Sequence, residues 1–452
     1  MKKNKQDRSK TIENCSKSFA FLHRNKIYPI FAILALTIAF TACNKSPAPL
    51  TDLNAISTHL AKVKGGTLDK PIFLLVNIPL GDMTNNGSGW QRLLMIIENA
   101  GKNVALDLSA CQTTGTEFNP VTQVSNGKFF IVSLALPDAA RSIIGNKDTP
   151  SFLHFYNLRT VSAKEITSIG RNAFKDCTSL ISADFPMIAN IAEGTFNGCT
   201  SLASMSLPLV TSISSINIPL VTSIGESAFD NCASMTSINF PASAAIVNNP
   251  FRGSSSLTSF TLNGIGDLGV IEDGKALVRN GTELIAYPSA SGNIVMDSIT
   301  SVGRSSFNGN ANLTSISFPA ATSIGIRAFR SCTSLISASF PAAANVGLGA
   351  FENTGTTALT ITLGNKAPTV GGSMFTGVTG AKPVTVKVPF GATGYGQSPV
   401  NATANNWGNR FRGGDWSRSE NWWGDVSYDR TAAPNTNIEL TIEIMAEEKA
   451  SE

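Results

Sequence analysis

A phenylalanine that keeps returning constrains this chain more than any other feature. Phe174, Phe196, Phe229, Phe251, Phe307, Phe329 and Phe351 hold equivalent places in one motif, and four of the six steps between them are 22 residues long. A full copy reads Ile224-Gly225-Glu226-Ser227-Ala228-Phe229-Asp230-Asn231-Cys232-Ala233-Ser234-Met235-Thr236-Ser237-Ile238-Asn239-Phe240-Pro241. A fixed period of that length marks a solenoid of stacked coils. One coil cannot cover its own apolar face, so each needs a neighbour on either side.

Each repeat divides into a short strand and a tighter return arm. In Leu313-Thr314-Ser315-Ile316-Ser317-Phe318-Pro319, Ile316 and Phe318 are two apart and share a face. Pro319 has no N–H and ends the pairing. The arm Thr322-Ser323-Ile324-Gly325 leads into Arg327-Ala328-Phe329, read here as a single helical or 3-10 turn, with Gly325 suited to a sharp bend. Stacked coils place parallel strands about 4.8 Å apart, with a ladder of Phe behind them.

The residues between the apolar strand positions bear on function. They run Ser182/Asp184, Ser204/Ser206, Ser237/Asn239, Ser259/Thr261, Ser315/Ser317, Ser337/Ser339 and Thr360/Thr362. This is a hydroxyl-paved face with almost no charge and no imidazole. General acid–base chemistry needs positioned groups of tuned pKa, and the face offers none. Small donors and acceptors in rows suit many weak contacts with an extended partner, or simple pairing from rung to rung. The candidate contact residues are Ser204, Ser206, Ser237, Asn239, Ser315, Ser317, Ser337 and Ser339.

The repeats from Ile166 to Leu363 resemble the BspA-like leucine-rich repeats of bacterial surface lipoproteins. The resemblance implies a right-handed leucine-rich-repeat solenoid, rich in parallel strands joined by short helical or 3-10 turns and capped at both ends. It further implies display on the cell surface and adherence to host matrix proteins or to other bacteria.

The N-terminus points the same way. Residues 1–42 carry eight Lys/Arg and two Asp/Glu, which leaves 27 basic and 29 acidic groups in the rest, so no basic surface for nucleic acid is implied. The basic stretch is followed by an apolar run from Ile30 to Phe40, too short to span a bilayer and suited to a signal-peptide core. Ala39-Phe40-Thr41-Ala42-Cys43 resembles a lipobox, although Phe40 stands where Leu is usual. Cleavage before Cys43 would leave that residue lipidated and the chain held in the bacterial envelope, at the outer membrane or cell surface, by several acyl chains, since one alone binds marginally.

Cysteine usage argues against a metal or disulfide framework. Cys177, Cys199, Cys232 and Cys332 all lie three residues after the repeat Phe, where other copies have Ser254, Asn310 and Thr354. A place that accepts these four residue types calls for a small polar group reaching backbone, and Cys111 fits the same role. Zinc would need convergent pairs such as C-x₂-C. An adventitious Cys177–Cys199 disulfide stays open at this point.

The remaining chain divides as follows: signal peptide 1–42, tether 43–52, an N-terminal α/β cap with irregular repeats over 53–165, regular repeats over 166–363, and a terminal repeat with a Trp-rich C-terminal cap over 364–452. Within the first cap, Ile56, Leu60 and Val63 form one helical stripe, and Trp90, Leu93, Leu94 and Ile97 another that Gly101 stops. Leu209-Val-Thr-Ser-Ile213 recurs as Leu220-Val-Thr-Ser-Ile224, stretching one step to 33. The 56-residue step from Phe251 to Phe307 carries an Asn280-Gly281 hairpin signal, read either as a bulged coil or as a recognition feature. Near the end, four of the five tryptophans fall between Trp407 and Trp423 beside Arg410, Arg412 and Arg418. Trp416, Trp422 and Trp423 are either a cover for the last coil or binding anchors of the kind aromatic residues supply.

The segment after residue 42 has only His59 and His154, and no G-x-S-x-G, H-E-x-x-H or P-loop motif. The chain therefore reads as a surface lipoprotein that binds a protein ligand, with no enzyme activity, cofactor, metal or nucleic acid. The alternative is an envelope spacer without a specific ligand.

Overall fold

The computed structural model describes residues 48–122, 126–205, 215–354, 358–372, 374–375, 384–389 and 392–393, and the backbone of the strand Leu440–Ile444. Two compact units divide the chain: one holds residues up to 114 together with 122–138, the other 115–121 and everything from 139 onward.

In the first unit, the two stripes form helices. Leu53–Lys62 is capped by Asp52, whose carboxylate accepts the Ala55 N–H at 2.7 Å. Ile56 and Leu60 are its buried face. Gly89–Ala100 starts at the Ser88 cap, buries Trp90, Leu93, Leu94 and Ile97, and ends at Gly101 in the left-handed region. Strands Ile72–Leu75, Val104–Asp107 and Ile131–Ala135 pair in parallel. The Lys102 ammonium donates to the carbonyls of Leu60 and Val63 at 2.6 and 2.9 Å, satisfying the open end of the first helix.

The second unit is a parallel-strand solenoid. Its strand side runs through Thr160–Ser162, Ser182–Asp184, Ser204–Met205, Ser215–Asn217, Ser237–Pro241 and Ser259–Asn263 in chain order. It continues in a separate sheet through Gly292–Val295, Leu313–Ser317, Ser337–Phe340, Leu359–Leu363, Val384–Val388 and Leu440–Ile444. Ile316 and Phe318 are both buried, as the alternation required. Two-residue strands such as Asn190–Ile191 and Ser223–Ile224 form a second parallel ladder on the return arm.

Behind the strands, the repeat Phe rings stack. Neighbouring centroids lie 5.3 Å apart for Phe174–Phe196, 5.6 Å for Phe196–Phe229 and 5.9 Å for Phe229–Phe251. Farther on, Phe307–Phe329 and Phe329–Phe351 are 5.2 and 5.3 Å apart. Each ring is buried, worth about 1.5–3 kcal/mol by area. Three rungs escaped the period: Phe152 stacks on Phe174 at 4.2 Å, Phe375 on Phe351 at 5.9 Å, and Tyr287 lies 6.0 Å from Phe307. Tyr287 also makes the rung's backbone bond, its N–H donating to the Ser306 carbonyl as that of Phe307 does to Ala328.

The return arm differs from the helical turn expected of it. It is a chain of tight turns in which the residues two before and two after the Phe adopt positive φ: Asn172 and Asp176, Ser227 and Asn231, Arg327 and Ser331. Gly325 plays a part other than bending. Its φ is ordinary, but a Cβ there would sit 2.6 Å from the Gly303 carbonyl carbon of the preceding coil. Gly225 and Gly347 meet backbone nitrogen of the coil before at 2.5 and 2.6 Å in the same way. The glycine is a close-packing requirement between coils.

The long step between Phe251 and Phe307 holds antiparallel hairpins, one of them at the Asn280-Gly281 signal. Leu268–Ile271, Ala276–Arg279 and Glu283–Ala286 form an up-down-up meander, with a register shift at Leu277/Val278. Asn280 and Gly281 both have positive φ in its second turn, the geometry the Asn-Gly pair favours.

Candidate functional site

The strand side presents two outward rows in register. Asn293, Ser315, Ser337, Thr360 and Thr385 are aligned across five strands. Beside them run Val295, Ser317, Ser339, Thr362 and Lys387. In the earlier sheet, Ser182 pairs with Ser204, Ser237 with Ser259, and Asn239 with Asn217 on one side and Thr261 on the other. The structure thus brings Ser315, Ser317, Ser337 and Ser339 together, and sets Ser237 and Asn239 on one strand. With Ser204 these side chains are half-buried. Ser206, Trp416, Trp422, Trp423 and the lipidation candidate Cys43 lie outside the described residues.

Some outward groups partner one another along the stack. Asn263 donates its amide to the Asn239 side-chain oxygen at 2.8 Å, and Asn239 donates to Asn217 at 3.0 Å. The Ser315 hydroxyl donates to the Asn293 side-chain oxygen at 2.5 Å. These three other asparagines were missed in the sequence because they fall beside breaks in the period, where no neighbouring copy suggests an equivalent place. Side-chain ladders of this kind contribute a few tenths to about 1 kcal/mol per pair, and they hold the outward face in a fixed pattern.

The residue three after each Phe works on the inside. Cys199, Cys232 and Cys332 donate their thiol hydrogens to the carbonyls of Phe174, Phe196 and Phe307 at 3.1–3.3 Å, and Cys177 reaches Phe152 at a longer 3.9 Å. Ser254 and Thr354 do the same to Phe229 and Phe329 at 2.7 Å each, while Asn310 reaches the Pro288 carbonyl at 3.2 Å. In the first unit, Cys111 donates to Val76 at 3.2 Å. All five of these cysteines are free and buried, which closes the disulfide question for Cys177 and Cys199. Burial pushes the Cys111 thiol up to about 11 and those of Cys177 and Cys332 up to about 12. Cys199 and Cys232 are raised too, burial first and neighbouring thiol or carboxyl charge second. A thiol held protonated is a donor and a poor nucleophile.

Charge appears on the return arm instead. Asp230, almost wholly buried, contacts the Arg252 guanidinium at 2.5 Å, and Arg252 also donates to Ser227. Burial pushes the Asp230 carboxyl up while Arg252 pulls it down. Glu352 holds both Arg327 and Arg330 at 3.3 and 3.2 Å. These pairs stitch adjacent coils. His154 faces the Tyr156 hydroxyl at 3.1 Å, and His59 sits on the first helix. Among the described residues no three His, Cys, Asp or Glu side chains converge as metal ligands, and no helix is long and apolar enough to cross a membrane.

The coil geometry defines a leucine-rich-repeat solenoid. The profile of the BspA-type leucine-rich repeat region matches this sequence in six copies over residues 128–215, 209–273 and 293–388, more than half of the chain. The chain belongs to the BspA-type leucine-rich-repeat family. Among solved structures it is similar to a leucine-rich repeat protein from Eubacterium ventriosum, at 21% identity over 58% of this chain and 67% of that one, with a TM-score of 0.46. A leucine-rich cell surface protein from Faecalibacterium prausnitzii is 20% identical over 57% of this chain and 79% of its own, with a TM-score of 0.36. The leucine-rich repeat protein of T. pallidum is 18% identical over 45% and 78%, with a TM-score of 0.27. No curated protein matches the sequence.

Proposed function

We propose that this chain is a non-catalytic protein-binding module of the bacterial cell surface, anchored through lipid on Cys43, that makes its contacts through the strand side of the solenoid. The observation that carries the reading is the pair of in-register, nearly uncharged rows through Ser315, Ser337 and Thr360 and through Ser317, Ser339 and Thr362. Small polar groups at strand spacing suit an extended protein partner, whose many weak contacts add up along the rows. Matrix proteins of a host and the surfaces of other bacteria are the partners implied by family membership. Trp416, Trp422 and Trp423 supply a second contact region, since Trp is among the residues that dominate interface energies.

The test is solid-phase binding of the chain from residue 44 onward to matrix proteins and to whole bacterial cells. The doubly charged variant Ser315→Glu/Ser337→Glu, confirmed folded by circular dichroism, is expected to lose binding by tenfold or more. Replacement of the three tryptophans with alanine reports on the second region separately. Unchanged binding by the glutamate variant would overturn the role of the strand side. Radiolabelled palmitate entering the wild type but not Cys43→Ala, with protease shaving of intact cells, tests anchoring and exposure.

A further inference from the structure

The repeat array changes character at one place. The strand-side sheet stops at Ser259–Asn263, and a new sheet begins at Gly292–Val295. The return-arm sheet stops at Ala245–Ile246, and the next begins with the antiparallel meander. The ring ladder breaks at the same point: Phe251 turns edge-on to Phe260 at 5.3 Å, and among the described residues no ring pair joins it to Tyr287 or Phe307. One buried core cluster runs from Ala276 to Val388, with Ile271 packed against it, while Leu277, Ile285 and Ala286 of the meander are buried outside that cluster.

The inner polar ladder of the second stack starts on its own side of the junction: Asn310, three after Phe307, reaches the Pro288 carbonyl beside Tyr287. Hydrogen bonds and an ion pair cross the junction. Asn249 donates its side-chain amide to the Ser305 carbonyl at 2.8 Å, and the Gly253 N–H to Asn308 at 3.3 Å. The Phe260 N–H donates to Gly274 at 2.7 Å, Arg304 meets Glu226 at 3.4 Å, and Arg279 donates to the Ile246 carbonyl. Ile265, Val270 and Val295, on elements bordering the junction, are 97%, 39% and 53% exposed.

We infer that the second unit is two separately cooperative stacks, Ala139–Asn263 and Ala276–Val388, and that the junction between them is a built-in joint that opens before either stack unfolds. Solenoid stability is a sum of coil terms and nearest-neighbour interface terms. The weakest interface is then where the array parts, and this one lacks the ring stacking and the continuous parallel strand ladder of its neighbours. Opening of such sub-global units shows in amide hydrogen exchange. The joint divides the uncharged strand side into two fields whose relative angle is free to adapt to a long partner.

The experiment is hydrogen exchange by NMR or fragment mass spectrometry on the chain from residue 44 onward. In the wild type, the Gly253 and Phe260 amides are expected to exchange at least tenfold faster than those of Phe229 and Phe329. Rates equal to those of the stack interiors would overturn the joint. Phe196→Leu is expected to lower protection by about tenfold or more in 139–263 and leave 276–388 unchanged; Phe329→Leu should do the reverse. Equal loss in both segments from either variant would overturn the two-stack reading, and because leucine keeps the sites apolar, both variants retain a stack to measure.

Discussion

Cys199 donates its thiol hydrogen to the carbonyl oxygen of Phe174, 3.1 Å away and one coil earlier. The relation recurs with Cys, Ser or Thr as donor, so the position asks for a small side chain with one hydrogen to give. The Phe174 carbonyl also accepts the Cys177 N–H at 3.1 Å, so the thiol supplies the second of two bonds, worth about 0.5–1.5 kcal/mol.

Substitution at this place should follow hydrogen-bonding ability over polarity. Cys332→Ser is expected to change stability by less than about 1 kcal/mol, because Ser254 already does the same job. Cys332→Val, similar in size but without a donor, should cost about 0.5–1.5 kcal/mol more than the serine variant, the worth of one hydrogen bond, since the Phe307 carbonyl keeps the Asn310 N–H. Urea unfolding of the two variants checks this, and equal losses would contradict it.

Alkaline pH should weaken the solenoid. The unfolded thiols titrate near 9, whereas Cys177 and Cys332 hold their protons to about 12 and Cys199 and Cys232 are also raised. The folded state therefore binds more protons than the unfolded state above pH 9. Stability is complete below 9 and falls between 9 and 12, by up to about 1.4 kcal/mol per pH unit for each thiol. Lys128 in the first unit works the other way, its ammonium pushed down to about 8 by burial, so its own contribution recovers as pH rises from 8. Thermal unfolding at pH 8, 9.5 and 11 should show a steep loss that Cys232→Ser makes shallower by one proton.

Gly347 is a test of close packing between coils. The methyl of Gly347→Ala would stand 2.6 Å from the Ile326 nitrogen, which is backbone and cannot swing aside. A loss of about 1–3 kcal/mol is expected, the usual cost of overpacking. Calorimetry that finds the variant as stable as the parent would show that the coils separate easily.

Asp230→Asn should destabilise the arm. It keeps the shape but leaves Arg252, a quarter exposed, without its counter-charge. Breaking a fully buried pair costs about 3–5 kcal/mol, and partial exposure of Arg252 places this one toward or below the low end. The double variant Asp230→Asn/Arg252→Met, which removes both charges, should recover much of the loss.

The period of Phe was enough to reveal the solenoid, since ring, strand and Pro recur together and the stack follows from burial alone. Tyr287 went unseen because a phenol replaces the benzene ring and the hairpins change the spacing on both sides. Phe152 went unseen because its coil sets Ile144-Gly145 farther ahead of the ring than its sister coils do and has Phe155 where four of them have Cys. The left-handed positions are filled by Asn, Asp, Ser, Gly and Arg, a mixture with no common chemistry, so they emerge only from backbone angles. Of the candidate contact rows, the alternation of Ser with buried residues was plain in the sequence. The asparagine pairing was not, because Asn217 and Asn293 border interruptions whose register only the sheet reveals.

The backward reach of each coil's small donor has an evolutionary corollary. Copying a whole 22-residue segment brings a giver and a receiver into the array together, so the newcomer leaves no orphaned oxygen wherever it is spliced. Array length can drift by complete copies at little thermodynamic penalty, whereas a gain or loss of part of a copy separates a giver from its receiver.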